Sequence, residues 1–244
     1  MGLDFAVTEA RRVGRAAAAI RVGCVTYVPS RRLQRFLSDL RERDAALRAE
    51  VIHLLGLEQV CRLRTGELDL GVFAHAEDYE GLDWVRLFPG EHLSAFVPKS
   101  HELAARPMLT PGDFWSETLL TYPRAVNPAF YDNHVRLLEE SGYRFARRYE
   151  TNTDPRDVLL AVAGGLGLVL APVSFESMSL VVDGEVVSVP LDPPLKYPDT
   201  IVAWRADPPR ELARSLEAVR EAASELFRST SRQHSVEPGP VVAG

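Results

Sequence analysis

Cysteine is scarce in this sequence, with two among 244 residues, and neither Cys24 nor Cys61 belongs to a CxxC pair. That excludes a disulfide-framework domain and a zinc ribbon. Both lie in apolar stretches, Cys24 in a strand-like run and Cys61 on the apolar face of an expected helix. Both read as buried small hydrophobes, with a redox pair between them left open. Positive charge is not in excess either: 28 Lys and Arg face 34 Asp and Glu, for a net charge of −6. A domain that grips nucleic-acid phosphates usually shows a basic stripe, and none is visible. The clusters Arg31, Arg32, Arg35 and Arg144, Arg147, Arg148 adjoin periodic apolar patterns and read as solvated faces. No apolar run reaches membrane-spanning length, and Ala16 to Ile20 is too short for a signal-peptide core. The expectation is a cytoplasmic protein that needs no membrane and binds no DNA through this chain.

What is present is enough apolar sequence, 46%, for a sizeable core. Residues 8–19 read as the end of a helix. IRVGCVTYVP from Ile20 is a buried strand stopped at Pro29, and Ser30 is placed to cap a helix carrying Leu33, Phe36, Leu37 and Leu40. AEVIHLL (49–55) is a second strand. A helix follows over about 57–65, with Leu57, Val60 and Cys61 on its inner face and Gly66 as its stop. GELDLGVF (66–73) is a third strand. This alternation predicts a parallel sheet flanked by helices. LDWVRLF (82–88) and HLSAFVP (92–98) close a first lobe.

A second α/β half then begins. PGDFW (111–115) starts a short helix and ETLLTYP (117–123) is a strand. Asn127 caps a helix opened by Pro128, with Phe130, His134, Leu137 and Leu138 inward. RFARRYET (144–151) is a strand, and Thr153 or Asp154 caps the helix from Pro155. GLGLVLAP (165–172), EVVSVPL (185–191) and TIVAWRAD (200–207) are strands. A last helix carries Leu212, Leu216, Val219, Ala223 and Leu226. The expected fold class is α/β, with two similar lobes, a hinge and an interlobe cleft. The expected divisions are 1–17 as a helix remnant, 18–97 with 198–229 as lobe I, 98–197 as lobe II, and 230–244 as a disordered tail. The crossings are expected near Val97–Lys99 and in DPPLKYP.

Three segments in this order carry a family resemblance. Leu63-Arg64-Thr65-Gly66-Glu67-Leu68-Asp69-Leu70-Gly71-Val72 is similar to a helix-to-strand passage of the effector-binding domain of LysR-type transcriptional regulators. Phe96-Val97-Pro98-Lys99-Ser100-His101-Glu102-Leu103-Ala104 resembles that family's crossover, with Glu102 where proline is usual. Val162-Ala163-Gly164-Gly165-Leu166-Gly167-Leu168-Val169-Leu170-Ala171-Pro172 resembles its glycine-rich turn into a strand. The resemblance implies a periplasmic-binding-protein-like fold of two Rossmann-like lobes, a small-molecule effector in the cleft, dimerisation through the first lobe, and an N-terminal winged helix-turn-helix on a linker helix. Residues 1–17 match only the end of such a linker, so a truncated form, a mis-called start or a naturally headless relative is expected, paired as a homodimer or with a full-length relative.

In such a cleft anions bind at helix starts, where free N–H groups and the helix dipole face the ligand. The expected ends are Thr26-Tyr27 to Ser30, Tyr122 to Asn127, and Thr153-Asp154. The resemblance implies contacts in the first two loops and beside Phe73 and Pro98. Arg124 is the cation suited to a bidentate carboxylate pair, or else a solvent-exposed loop arginine. Tyr27 and Tyr122 wall an aromatic ligand or pack into the core. Leu55-Gly56-Leu57 stands where relatives offer a polar helix start, which favours an effector less polar or larger than a simple dicarboxylate. The ligand expected is a carboxylate or aromatic metabolite, with no cofactor and no metal.

The alternative class is an enzyme or stand-alone binding protein on the same fold. Asp154, His75, Tyr131 and Cys24 are its candidate reactive groups, and they form no recognisable set. His101-Glu102 lacks the second histidine of a zinc helix, and Gly164-Gly165-Leu166-Gly167 ends a helix rather than opening one.

Overall fold

The computed structural model describes residues 19–26, 28–45, 47–77, 79–179 and 184–234. The helix remnant expected over 1–17, Tyr27, and the tail beyond 234 lie outside the described residues. The chain divides into two compact units. The first takes the residues up to His75, Tyr79–Pro89 and those from Asp199 onward, and the second is mainly Gly90–Pro198.

The first unit is built on a five-stranded sheet in the order β2-β1-β3-β10-β4. Its strands are β1 (Ile20–Cys24), β2 (Ala49–His53), β3 (Leu70–Ala74), β4 (Leu82–Phe88) and β10 (Thr200–Arg205). β1 is parallel to both β2 and β3, as the alternation predicts. β10 returns antiparallel between β3 and β4. The crossover helices are α1 (Ser30–Arg43) and α2 (Gly56–Thr65). A long helix, α5 (Arg210–His234), packs on β4 and α1. Phe36, Leu40, Leu63, Leu70, Val72, Trp204, Val219 and Leu226 are all but inaccessible in one core.

The first motif has a mechanical reading in this unit. Gly66 ends α2 in the left-handed conformation (φ 74°) that only glycine adopts without cost. Asp69, buried in the turn into β3, accepts from the backbone N–H of Arg21 at 2.9 Å and from its guanidinium at 3.0 and 3.2 Å. The same guanidinium reaches the Gly66 carbonyl at 2.6 Å. One ion pair thus fastens helix end, strand start and β1 together.

The second unit holds an antiparallel sheet in the order β8-β5-β9 and a parallel pair β6-β7. The strands are β5 (Leu93–Pro98), β6 (Thr118–Thr121), β7 (Arg147–Glu150), β8 (Val169–Pro172) and β9 (Val186–Pro190), and the helices α3 (Pro128–Glu140) and α4 (Pro155–Ala163). Leu93, Ala95 and Val97 enter the core with Phe114, Leu138 and Tyr143, while Phe96 meets Phe175. Gly167 reaches φ 156°, and a Cβ there would stand 2.5 Å from the Thr118 carbonyl oxygen. The glycine-rich motif is therefore needed where β8 closes on β6.

Several expectations are corrected. β5 was expected to close the first lobe at residue 97, but it is the central strand of the second unit, with both flanks paired there. Apart from residues 76–78, which group with the second unit, the chain accordingly passes between units at Pro89–Gly90 and Pro198–Asp199. PGDFW is a single 3-10 turn, Pro111–Phe114. The last helix continues through 230–234, because no proline falls between Pro209 and Pro238 and Thr230 is buried. The inner face of α2 is Gln59, Val60 and Leu63, while Cys61 and Leu57 are exposed. Both cysteines are free, and Cys24 alone is buried. Among the described residues, no helix is long and apolar enough to cross a membrane.

Candidate functional site

Four of the expected contact residues belong to the first unit. Thr26 is exposed just beyond the carboxyl end of β1, in a turn closed by the Val28 N–H on the Val25 carbonyl. Ser30, expected as the cap of α1, is its first helical residue. Pro29 holds the cap position with φ −56°, and its carbonyl accepts from Arg32 and Leu33. Proline is pre-set for that geometry, and no side chain caps the end. Phe73 near the carboxyl end of β3 is fully buried, edge-to-face with Tyr79 at 5.5 Å, so its side chain is core. Tyr27 falls outside the described residues.

The other five belong to the second unit. Pro98 is the buried last residue of β5, opposite Val186. Tyr122, half-buried, follows β6 and meets Phe130 at 6.0 Å and Tyr131 at 5.7 Å, the latter ring edge-on. Phe130 in turn meets Tyr197 at 5.4 Å. Asn127 caps α3 as expected, its Oδ1 accepting from the Phe130 N–H at 3.1 Å. Thr153, half-buried after β7, donates its N–H to Asn152 Oδ1, and it is Asp154 that caps α4. Arg124 is exposed and already paired. Its Nε and terminal nitrogen donate to the two carboxylate oxygens of Asp132 at 2.7 and 2.6 Å, and this pairing holds the Asp132 carboxyl below its ordinary range. Asp132 and Tyr131 thus join the expected Tyr122, Arg124 and Asn127, and Tyr197 adjoins them through Phe130. Tyr131 stood on the expected α3, whereas Tyr197 sits in DPPLKYP, which was read only as a crossing between lobes.

The starts of α1 to α4, each of which follows a strand, differ in what they offer an anion. The first turn of α4 holds Asp157, and its cap is Asp154, which also pairs with Arg156 at 3.0 Å. The first turn of α2 holds Glu58, bonded to Arg62 at 2.7 Å. Neither α1 nor α3 has an acidic residue in its first turn. Negative charge near a helix N-terminus competes for the field an anionic ligand would use. Each unit therefore presents one helix start whose first turn is free of acidic side chains.

The groups considered for catalysis have other engagements. The Cys24 thiol donates to the Val25 carbonyl at 3.3 Å, and burial pushes its pKa up to about 12, far from a thiolate nucleophile. His75 meets Trp84 in a tilted ring contact at 4.4 Å, Asp154 caps α4, and Tyr131 meets Tyr122.

The family model for the LysR substrate binding domain matches residues 14–227. The chain belongs to that family. Among curated proteins it is 24% identical over 180 residues to YnfL of Escherichia coli (strain K12), described as an uncharacterized HTH-type transcriptional regulator. That match covers 73% of this chain and 60% of YnfL, so the chain spans under two thirds of its relative's length. Among solved structures, the BenM effector binding domain with its effector benzoate superposes with a TM-score of 0.68 at 22% identity, covering 93% of this chain and 98% of that one. The reduced regulatory domain of OxyR from Pseudomonas aeruginosa gives 0.66 at 19% identity, covering 85% and 97%. At these identities the two structures establish the fold, the periplasmic-binding-protein-like α/β type of LysR effector domains, and leave the ligand to this chain's own residues.

Proposed function

We propose that this LysR substrate-binding domain senses a ring-bearing carboxylate effector on behalf of a transcriptional regulator. The carrying observation is that α1 and α3 begin without acidic side chains while α2 and α4 do not. The effector carboxylate is read at the start of α3, between Tyr122 and Asn127, and α1 supplies the corresponding start in the first unit. Tyr122 and Tyr131, both half-buried and backed by the buried Phe130, provide an aromatic surface beside the α3 start, which favours a ring over a short aliphatic diacid. The benzoate-bound BenM domain supports the same class. The working assembly is a dimer in the cytoplasm, and DNA contact is made by sequence other than these residues.

A thermal-shift screen with benzoate, further aromatic acids and aliphatic diacids tests this reading. A ligand at a hundred times its Kd stabilises by about 2.7 kcal/mol, or roughly 5–10 °C for a chain of this size. The expected result is a saturable rise with an aromatic acid, weakened in Asn127→Ala. Saturation by small diacids alone would overturn the aromatic class, and no response anywhere in the panel would overturn the sensor reading.

A further inference from the structure

Gln59 is fully buried in the first unit, an unusual place for a carboxamide. Its Nε2 donates to the Leu54 carbonyl at 3.0 Å and, more weakly, to the Val72 carbonyl at 3.4 Å. Two glycines make room for it. Gly23 of β1 and Gly71 of β3 stand opposite each other in the parallel ladder. A Cβ on either would lie 2.9 or 3.0 Å from Gln59 Oε1. The bonds around the amide form a continuous set. The Val72 carbonyl also accepts from the Val25 N–H at 3.2 Å, and the Leu54 N–H donates to the Cys24 carbonyl at 3.0 Å. The amide therefore sits where the loops after β1 and β2 leave the sheet, with the end of β3 between them in the bonding set.

We propose that Gln59 is a positioning residue that holds the carboxyl-end loops of β1 and β2 in register with β3, and so sets the backbone leading from Val25 to the start of α1. Its bearing on effector binding rests on the reading that the α1 start contacts the ligand. An apolar side chain of the same length would fill the trough between the glycines, but would leave the Leu54 carbonyl without this donor and free the loop to open.

Gln59→Met, compared with the parent domain by residue-resolved amide hydrogen exchange, separates positioning from packing. Loss of one local hydrogen bond predicts exchange on the order of tenfold faster at the Val25 and Leu54 amides. The interior strand amides, such as that of Leu70, and the melting temperature should change little. Uniform acceleration, or none at the two loop amides, would overturn the proposal. Gln59→Glu provides a second reading should the methionine variant fold poorly. Its neutral acid form donates one O–H to a carbonyl, so the loop amides, corrected for intrinsic exchange, should be better protected at pH 5 than at pH 8. Equal protection at both pH values would also overturn it. Sulfate titration of the same samples, read at the Ser30 and Arg31 amides, keeps the two ideas apart. If the loop amides respond as expected but sulfate shifts nothing in either protein, the positioning role stands and the anion-reading role of α1 falls.

Discussion

His134 on α3 makes the second unit sensitive to acid. Its Nδ1 is buried with no hydrogen-bond partner among the described residues, and the ring lies 6.3 Å from that of Tyr197. Desolvation, with a smaller contribution from the nearby Arg148 charge, lowers its pKa from 6.5 to about 4. The folded state therefore holds the neutral imidazole, while the unfolded chain takes up a proton near pH 6.5. Stability from this residue is complete above that value and is lost as pH falls from about 6.5 toward 4. Linkage over that shift gives a loss of about 2 kcal/mol between pH 8 and pH 5. Because the residue as a whole is half-buried, that figure is an upper value. The assay is urea unfolding at both pH values for the parent domain and for His134→Gln, which cannot titrate. The parent should lose about 1–2 kcal/mol more than the variant on acidification. Equal losses would refute the argument, since every other titrating group is common to both proteins.

Three further outcomes follow from particular contacts. Gly90→Ala would drive a Cβ into the backbone carbonyl of Tyr197, beside the Tyr197 N–H bond to Glu91, and should destabilise by more than about 3 kcal/mol in chemical unfolding. Asp69→Ala strands the Arg21 guanidinium, which is three quarters buried, and should cost about 3 kcal/mol by the same measurement. Asp132→Asn releases Arg124 from its internal carboxylate, so benzoate should bind more tightly by calorimetry; unchanged or weaker binding would mean that Arg124 does not face the ligand.

Most of the fold was legible because its signals are local. Gly66 after an apolar helix, Asn127-Pro128 and the run LDWVRLF each carry their own instruction, and each element stands where it was expected. The lobe boundary was not legible, because Leu93–Pro98 is apolar on both faces and such a run does not reveal which sheet it joins. The face of α2 was misjudged for a related reason. Periodicity counts a glutamine as outward, and only the facing pair Gly23 and Gly71, brought together by strand register, makes an inward Gln59 possible. At the site, the helix starts and Tyr122 could be named from sequence. The Arg124–Asp132 pair and the Tyr197 ring depend on tertiary placement that no short motif encodes.

The central proposal is that each unit offers an anion its own acid-free helix start, α1 in the first unit and α3 in the second. Amide chemical-shift mapping during a benzoate titration tests it most directly. The account predicts saturable shifts concentrated at Thr26, Ser30 and Arg31 in the first unit and at Tyr122, Ala129 and Phe130 in the second. Shifts centred on the start of α4 or along α5, or no saturable shift at all, would contradict it.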